Sequence, residues 1–240
     1  MAETSDIFKA AQKELARHDK PENKINAQRF FKERLEDPWM LKSAVFKKIA
    51  NDSYKLTKDI SKKEVFEICE MLLNSGKMGE RGMAFNWAQR RHREFAKSDF
   101  TRFESWLKKH VKNWGSCDSL CCGAFGTLIS MYPELIPKTR KWAKSKNRWL
   151  RRASAVVLIL SLRDKRQLKD AFKVADILLL DEDDMVQKGY GWMLKEAGNK
   201  FPDEVFKYVL KHKKVMPRTS LRYAIEKYPA AKRKEAMKKD

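Results

Sequence analysis

NRWLRRASAVVLILSLRD, residues 147–164, is the stretch that decides between a strand and a helix in the middle of the chain. Its apolar run alone has the composition of a buried strand. The whole stretch is longer than a typical strand, however, and it follows Asn147, a residue type that often caps helices. No alternating strand pattern occurs elsewhere in the sequence. We therefore interpret the stretch as a central helix that is buried on nearly every side.

Helical patterns continue on both sides of this stretch. Apolar residues recur at three-to-four spacing in segments 62–75, 98–112, 134–145 and 202–212. Breaks at Pro, Gly, Asn and Asp divide the chain into about a dozen or more helices of ordinary length. The sequence predicts an all-α fold of paired helices, in one domain over residues 1–240 that ends in a basic helix or tail at 229–240.

Three short matches indicate that the helix pairs repeat. Arg81, Arg152 and Lys188 are each followed by small residues at the first and third positions after them, as in Arg152-Ala-Ser-Ala. The matches are 71 and 36 residues apart, which fits a period of about 35 with one copy missing near Asp118. Such periods are typical of solenoids, in which small residues let neighbouring helices pack closely. We predict a helical-repeat solenoid with a concave basic groove.

The charge balance predicts a polyanionic partner. The 240 residues include 53 Lys and Arg against 32 Asp and Glu, a net charge of +21. Either nucleic acid or an anionic membrane surface fits this excess. No apolar run approaches the roughly 18 residues that span a membrane, and the start MAETSDIF lacks a signal-peptide pattern. We expect a cytoplasmic, nucleoid-associated protein that binds nucleic acid and no membrane.

The cysteines predict neither disulfides nor a metal site. Three of the four cysteines are crowded at Cys117, Cys121 and Cys122, and no paired C-x2-C motif accompanies them. Small buried thiols are the simpler interpretation. We expect no metal and no cofactor.

Asp118 is the unusual residue of the predicted groove. A carboxylate in a row of cations repels DNA phosphates, so it is easier to explain if it faces a cation in the ligand. Trp114 lies one turn earlier on the same helical face and would lie beside that group. The alternative is that Asp118 caps a helix after a break at Gly115 and Ser116.

Other positions also have two interpretations. Trp114 and Trp192 are either core residues or aromatic walls of the groove. Either Arg151 or Arg152 faces the groove, and the other is solvated. The acidic run 181–184 is interpreted as a helix start.

A set of residues in fixed order resembles a known family. Trp114-x3-Asp118, then Arg152 in NRWLRRASA, then Trp192 in KGYGWMLKEAG are similar to the HEAT-like-repeat DNA glycosylases of the AlkD type. The resemblance is clearest from about residue 105 to residue 228. It implies a HEAT-like all-α fold and a catalytic set of Asp118, Trp114 and Trp192. The DNA-binding positions that it and the repeat pattern imply are Arg152, Arg81, Lys188, Lys195 and Phe30. Lys195 stands where the family has an arginine, which puts bidentate phosphate contact there in doubt.

The resemblance implies a specific reaction. An N3- or N7-alkylated purine is cationic and leaves as a neutral base, so excision needs a carboxylate to stabilise the sugar cation and to place a water, not a strong acid. We expect a monomeric, monofunctional glycosylase that acts on duplex DNA containing alkylated purines such as 3-methyladenine and 7-methylguanine, without a deep base-flipping pocket. The alternative is a noncatalytic helical-repeat protein that binds DNA or RNA through the same basic groove.

Overall fold

The computed structural model describes residues 4–35 and 40–238, and no strand occurs among them. The chain divides into two compact units, residues 1–95 and 96–240. The prediction of an all-α fold is confirmed. Among the described residues no single helix is long and apolar enough to cross a membrane. Only the pair Trp114–Met131 and Pro133–Lys144, bent by 106°, reaches the length and composition required.

The first unit contains five α-helices in its described residues. They are α1 Thr4–Ala16, α2 Pro21–Gln28, α3 Ser43–Tyr54, α4 Lys62–Asn74 and α5 Met78–Arg90, with 3-10 turns at Lys55–Thr57 and His92–Glu94. Ser61 and Glu64 form a capping box that starts α4, close to the predicted start. Trp87 is fully buried, and its indole donates a hydrogen bond to the carbonyl of Ala50.

The second unit continues the pattern with shorter helices. They are α6 Asp99–His110, α7 Trp114–Cys121, α8 Ala124–Met131, α9 Ile136–Arg140, α10 Arg148–Val156, α11 Ile159–Arg163, α12 Leu168–Leu178, α13 Asp184–Gly198, α14 Pro202–His212, α15 Arg218–Ile225 and α16 Ala230–Met237. Further 3-10 turns lie at Pro133–Leu135 and Lys141–Lys144. Five aromatic rings pack together in the core of this unit: Phe100, Phe103, Trp106, Phe125 and Trp142.

The helix caps show the repeat more clearly than the sequence matches do. The residues that precede α5, α7, α10, α13 and α15 are Lys77, Asn113, Asn147, Asp183 and Pro217. Their positions are 34 to 36 residues apart. Asp118, Arg152 and Lys188 each lie five residues after the cap, whereas Arg81 lies four residues after it. The predicted period of about 35 residues therefore recurs in the structure, and each period contains two or three α-helices.

Two predicted helices are divided in the structure. Segment 134–145 is a 3-10 turn, the short helix α9 and a second 3-10 turn; Pro137 lies in the first turn of α9, because a proline has no amide hydrogen and its ring would clash with a preceding helical turn. Segment 147–164 is divided into α10 and α11, since the amide of Leu158 bonds the carbonyl of Ala155, three residues back rather than four. Residues 152–159 are buried throughout, as predicted.

The C-terminal segment is helical where the structure describes it. Pro229 precedes α16, which covers most of the predicted basic segment 229–240. Lys239 and Asp240 lie outside the described residues. Most side chains of α16 are exposed, and Ala236 alone is buried.

Candidate functional site

Helix α7 starts in a way that places Asp118 inside the helix. Asn113 is the cap: its side chain accepts a hydrogen bond from the amide of Ser116 at 2.8 Å, and the Ser116 hydroxyl accepts one in return from the Asn113 amide. Gly115 lies within the first turn and makes no break. Asp118 is the fifth helical residue, so the interpretation of Asp118 as a cap is wrong.

Asp118 forms a two-pronged ion pair with Arg152. The Arg152 Nε donates to Oδ1 at 2.9 Å, and Nη2 donates to Oδ2 at 2.8 Å. The Nη1 of the same guanidinium donates to the carbonyl of Met185 at 2.5 Å. One side chain thus connects α7, α10 and α13. Arg152 is only 5% exposed, while the Asp118 side chain keeps 18% of its surface exposed.

Burial and charge act in opposite directions on this pair. Burial raises the pKa of Asp118 above its ordinary value, although the hydrogen bonds and charge of Arg152 oppose the rise. For Arg152 burial lowers the pKa, but the hydrogen bonds and charge of Asp118 outweigh this and raise it. A fork-shaped guanidinium at these distances favours the ionised carboxylate. The site near neutral pH is therefore a carboxylate held by a permanent cation.

Gly189 makes room for the Arg152 side chain. A Cβ placed on Gly189 would lie 2.9 Å from Cγ and 3.4 Å from Nη1 of Arg152. Real Cβ atoms essentially never approach another heavy atom within 3.0 Å. The small residue after Lys188 therefore has the role predicted for the repeat pattern, which is close packing of one helix on its neighbour.

The other predicted cations of the second unit also have acidic partners. The ammonium of Lys188 lies 2.7 Å from Asp184, one turn earlier in α13. Lys195 lies 3.0 Å from Glu226 on α15, with its ammonium 5.8 Å from the centre of the Tyr223 ring. The predicted row of cations is thus an alternation of cations and carboxylates.

Arg151 and the acidic run 181–184 are joined in the same way. Arg151 lies 2.6 Å from Asp181 and Arg152 is buried, so neither is the solvated residue that we expect one of the two to be. Asp183 accepts hydrogen bonds from the amides of Met185 and Val186 and caps α13, which confirms the predicted helix start. Asp183 also pairs with Arg148 at 2.7 Å.

Trp192 is half-buried and held by a carboxylate. Its indole Nε1 donates to Glu196 at 2.9 Å, and the other Glu196 oxygen accepts from Arg163 at 2.9 Å. The hydrogen bond from Arg163 is the main cause that lowers the pKa of Glu196, so this carboxylate is ionised. The indole is therefore held in one orientation by a charge-assisted hydrogen bond.

The tryptophans fall into two groups. Trp87, Trp106 and Trp142 are buried core residues, at 0%, 2% and 4% exposure. Trp114, Trp149 and Trp192 are half-buried. Trp39 lies outside the described residues. Trp149 was not among the predicted site residues, although its backbone carbonyl accepts a hydrogen bond from the thiol of Cys117, one residue before Asp118.

Arg81 and Phe30 lie in the first unit. Arg81 is 8% exposed, and its Nη2 donates to the carbonyl of Gly76 at 2.8 Å. Phe30 follows α2 and is 60% exposed, so its ring is open to solvent. Of the two, only Phe30 presents a large free surface.

The thiols next to Asp118 are not reactive groups. Cys117 and Cys121 are buried and unoxidised. Burial raises the pKa of the Cys121 thiol, and it raises that of Cys122 to about 12. The described residues contain no group of three or more His, Cys, Asp or Glu side chains arranged to hold a metal ion.

Comparison with known proteins identifies a family. A family model described as DNA alkylation repair enzyme matches residues 11–228. No curated protein matches the chain. A solved structure described as a predicted DNA alkylation repair enzyme from Enterococcus faecalis is similar, with a TM-score of 0.75 and 18% identity over 88% of this chain and 96% of that one. The structure of smu.31 from Streptococcus mutans UA159 is also similar, with a TM-score of 0.56 and 21% identity over 78% of this chain and 96% of that one. At these identities the two structures support the fold alone.

Proposed function

Because the chain belongs to the DNA alkylation repair enzyme family, we propose that it is a DNA glycosylase of the AlkD type with HEAT-like repeats. It hydrolyses the N-glycosidic bond of cationic N3- or N7-alkylated purines in duplex DNA. The enzyme acts as a monomer with water as the nucleophile. The observation that supports this proposal is the partly exposed carboxylate of Asp118, one turn after the half-buried ring of Trp114.

Asp118 has the capacity to bind a water while it is paired. An ionised carboxylate has about four lone-pair sites, and Arg152 occupies one on each oxygen. The remaining sites accept from a water that attacks the sugar. The guanidinium keeps the carboxylate ionised and fixes its orientation, so Arg152 is a positioning residue for Asp118.

The net electrostatic gain is smaller than that of an isolated carboxylate. A sugar cation about 4 Å from the carboxylate gains about 4 kcal/mol at an effective dielectric constant near 20. The guanidinium on the far side, about twice as distant, opposes this with about 2 kcal/mol. About 2 kcal/mol remains, or roughly thirtyfold in rate, before the contribution of the placed water. The alkylated base supplies the rest of the driving force because it leaves without a charge.

The aromatic and basic residues have roles around this centre. Trp114 and Trp192 contact the sugar and base and exclude solvent, and Glu196 fixes the Trp192 ring. Lys188 and Lys195 each lie in an ion pair and exchange their carboxylate partners for phosphates when DNA binds. For the first unit taken by itself, we propose that Arg81 and Phe30 contact DNA.

One observation favours a second function. Both oxygens of Asp118 accept hydrogen bonds from Arg152, and the same ion pair would serve equally well to hold two repeats together. In that case the chain is a noncatalytic helical-repeat protein that binds DNA or RNA. A pure binder does not need the partial exposure of the carboxylate, and for this reason we favour the enzyme.

The test is incubation of the purified protein with duplex DNA that carries 7-methylguanine, with released base measured by chromatography. Release of free 7-methylguanine, at a rate above that of spontaneous depurination, supports the glycosylase. Binding of the same duplex without release supports the second function.

A further inference from the structure

The fifth residue after each helix cap forms a column along the second unit. These residues are Asp118 on α7, Arg152 on α10, Lys188 on α13 and Arg222 on α15. Arg152 touches the preceding member, Asp118, and it also bonds the carbonyl of Met185 on the following helix. Successive members of the column therefore lie on helices in direct contact.

Helix α15 extends this arrangement. A Cβ on Gly191 of α13 would lie 2.8 Å from the Cβ of Tyr223 and 2.9 Å from the carbonyl of Ser220. The ion pair between Lys195 and Glu226 joins the same two helices. Because α15 packs on α13 as closely as α13 packs on α10, Arg222 occupies the next place in the column.

Arg222 differs from the earlier members in its charge environment. Arg152 is matched by Asp118, and Lys188 is matched by Asp184. Arg222 is exposed, and it has no ion pair within residues 4–35 and 40–238. The acidic residue one turn later, Glu226, is already bound to Lys195 at 3.0 Å and to Lys227 at 3.4 Å.

A second arginine lies beside it. Arg218 is exposed one turn before Arg222, at the position that Arg148 has on α10. Arg148 pairs with Asp183, whereas the guanidinium of Arg218 donates to the carbonyl of Met237 at 3.4 Å. Arg148 and Arg152 of α10 are thus neutralised by carboxylates. For Arg218 and Arg222 on α15, no carboxylate partner occurs among the described residues.

We propose that Arg222, with Arg218, binds backbone phosphates of the DNA duplex at the terminal repeat. Two exposed guanidinium groups one helical turn apart present planar donor sets that suit phosphate oxygens. One turn after Arg222, Glu226 pairs with two cations, Lys195 and Lys227. The site rests on the proposed function for the identity of its ligand, and it extends the DNA contact beyond the residues that the family resemblance implies.

The experiment measures binding of an undamaged duplex by the full chain at several salt concentrations. Arg222→Ala should weaken binding and lower the slope of log K against log salt by about 0.9, the value for one lost phosphate contact. Arg222→Lys keeps the charge and should keep most of the slope. The matched control is Lys207→Ala, which removes one exposed cation from α14, the helix before α15, and should leave the slope at the parent value. A slope for Arg222→Ala equal to that of the control would overturn the proposal.

The Arg222→Ala variant also separates this inference from the proposed function. In Arg222→Ala, half-maximal release of 7-methylguanine should require a higher protein concentration than in the parent, because the residue contacts phosphate and not the sugar. A reduced rate at saturation would assign Arg222 to the reaction and contradict a binding role. If the parent releases no base and the salt slope still falls in Arg222→Ala, the phosphate site stands and the glycosylase proposal fails.

Discussion

The substitution Gly189→Ala tests whether the geometry of the Asp118–Arg152 pair matters to the reaction. The new methyl carbon would lie 2.9 Å from Cγ, 3.4 Å from Nη1 and 3.7 Å from Cα of Arg152. The Arg152 side chain has to move by several tenths of an ångström, and its hydrogen bonds of 2.8 and 2.9 Å to Asp118 lengthen.

The stability change is the difference of two effects. Alanine within a helix is about 1 kcal/mol more favourable than glycine. Overpacking of a tight contact costs about 1 to 3 kcal/mol. We expect a net loss of about 0 to 2 kcal/mol in the free energy of unfolding, which leaves most of the protein folded. Because the carboxylate loses its fixed orientation, we expect excision to fall roughly tenfold or more, since misplacement of catalytic groups by about 1 Å costs up to about a hundredfold.

The assay is single-turnover release of 7-methylguanine together with a urea melt of the same variant. Gly82→Ala is the control, because its new methyl would meet only the edge of the Phe46 ring at 3.3 Å. The reasoning is refuted if Gly189→Ala excises at the parent rate, or if Gly82→Ala reduces excision as strongly.

Further predictions concern Trp192 and pH. Trp192→Ala should lower excision without a large fall in melting temperature, because Trp192 is half-buried. A loss of about 3 to 5 kcal/mol in the free energy of unfolding, as for truncation of a core aromatic residue, would instead show that Trp192 is a core residue. Glu196→Ala should also lower excision, because the Trp192 indole loses its acceptor, whereas Glu196→Gln keeps an acceptor and should retain most of the parent rate. If Glu196→Ala and Glu196→Gln excise at the same rate, Glu196 does not position the indole. Since burial raises the pKa of Asp118, this carboxylate takes up its proton, and excision should be lost, as pH falls through a midpoint above the ordinary 3.8; single-turnover release measured against pH checks this, and a midpoint below 3.8 would contradict it.

Much of the fold follows from local patterns in the sequence. Helix starts at Ser61, Asn147 and Asp183 are signalled by cap residues whose chemistry is independent of the rest of the chain. Three short matches predict the repeat period, and the residues that precede α5, α7, α10, α13 and α15 recur with the same period. The division of segment 134–145 was missed, although Pro137 in its interior is a known breaker.

The sequence predicts where in the repeats the site residues lie, but it does not predict which of them form ion pairs. Asp118 and Arg152 were placed at equivalent points of successive repeats, and residues one period apart in a stacked repeat are neighbours in space. Opposite charges at such positions pair for the same reason that charges four apart on a helix do. A carboxylate one repeat before an arginine is therefore a signal for an ion pair. The interpretation of Asp118 as facing only the ligand does not use this signal.

Other contacts had no signal in the sequence. The Met185 carbonyl accepts from Arg152 because of how α13 lies against α10, which no local pattern records. Trp192 and Glu196 are four residues apart on one helix, so the sequence indicates that their side chains are neighbours. Arg163 is 33 residues from Glu196, and no local pattern indicates the hydrogen bond between them. Trp149 lies between Arg148 and Leu150, and no motif in the sequence distinguishes it from a core tryptophan of its helix.

The most direct test of the account is single-turnover release of 7-methylguanine by Asp118→Asn. Asn removes the charge and leaves Arg152 buried without its counterion, so the variant loses stability, up to about 3 to 5 kcal/mol when such a pair is broken. The double variant Asp118→Asn with Arg152→Gln replaces both charges by amides that hydrogen-bond each other, and it serves as the folded control. We predict that both variants bind the duplex and that both release base roughly thirtyfold to a hundredfold more slowly than the parent. Release at the parent rate by the folded double variant would contradict the account and leave the pair as a tie between repeats.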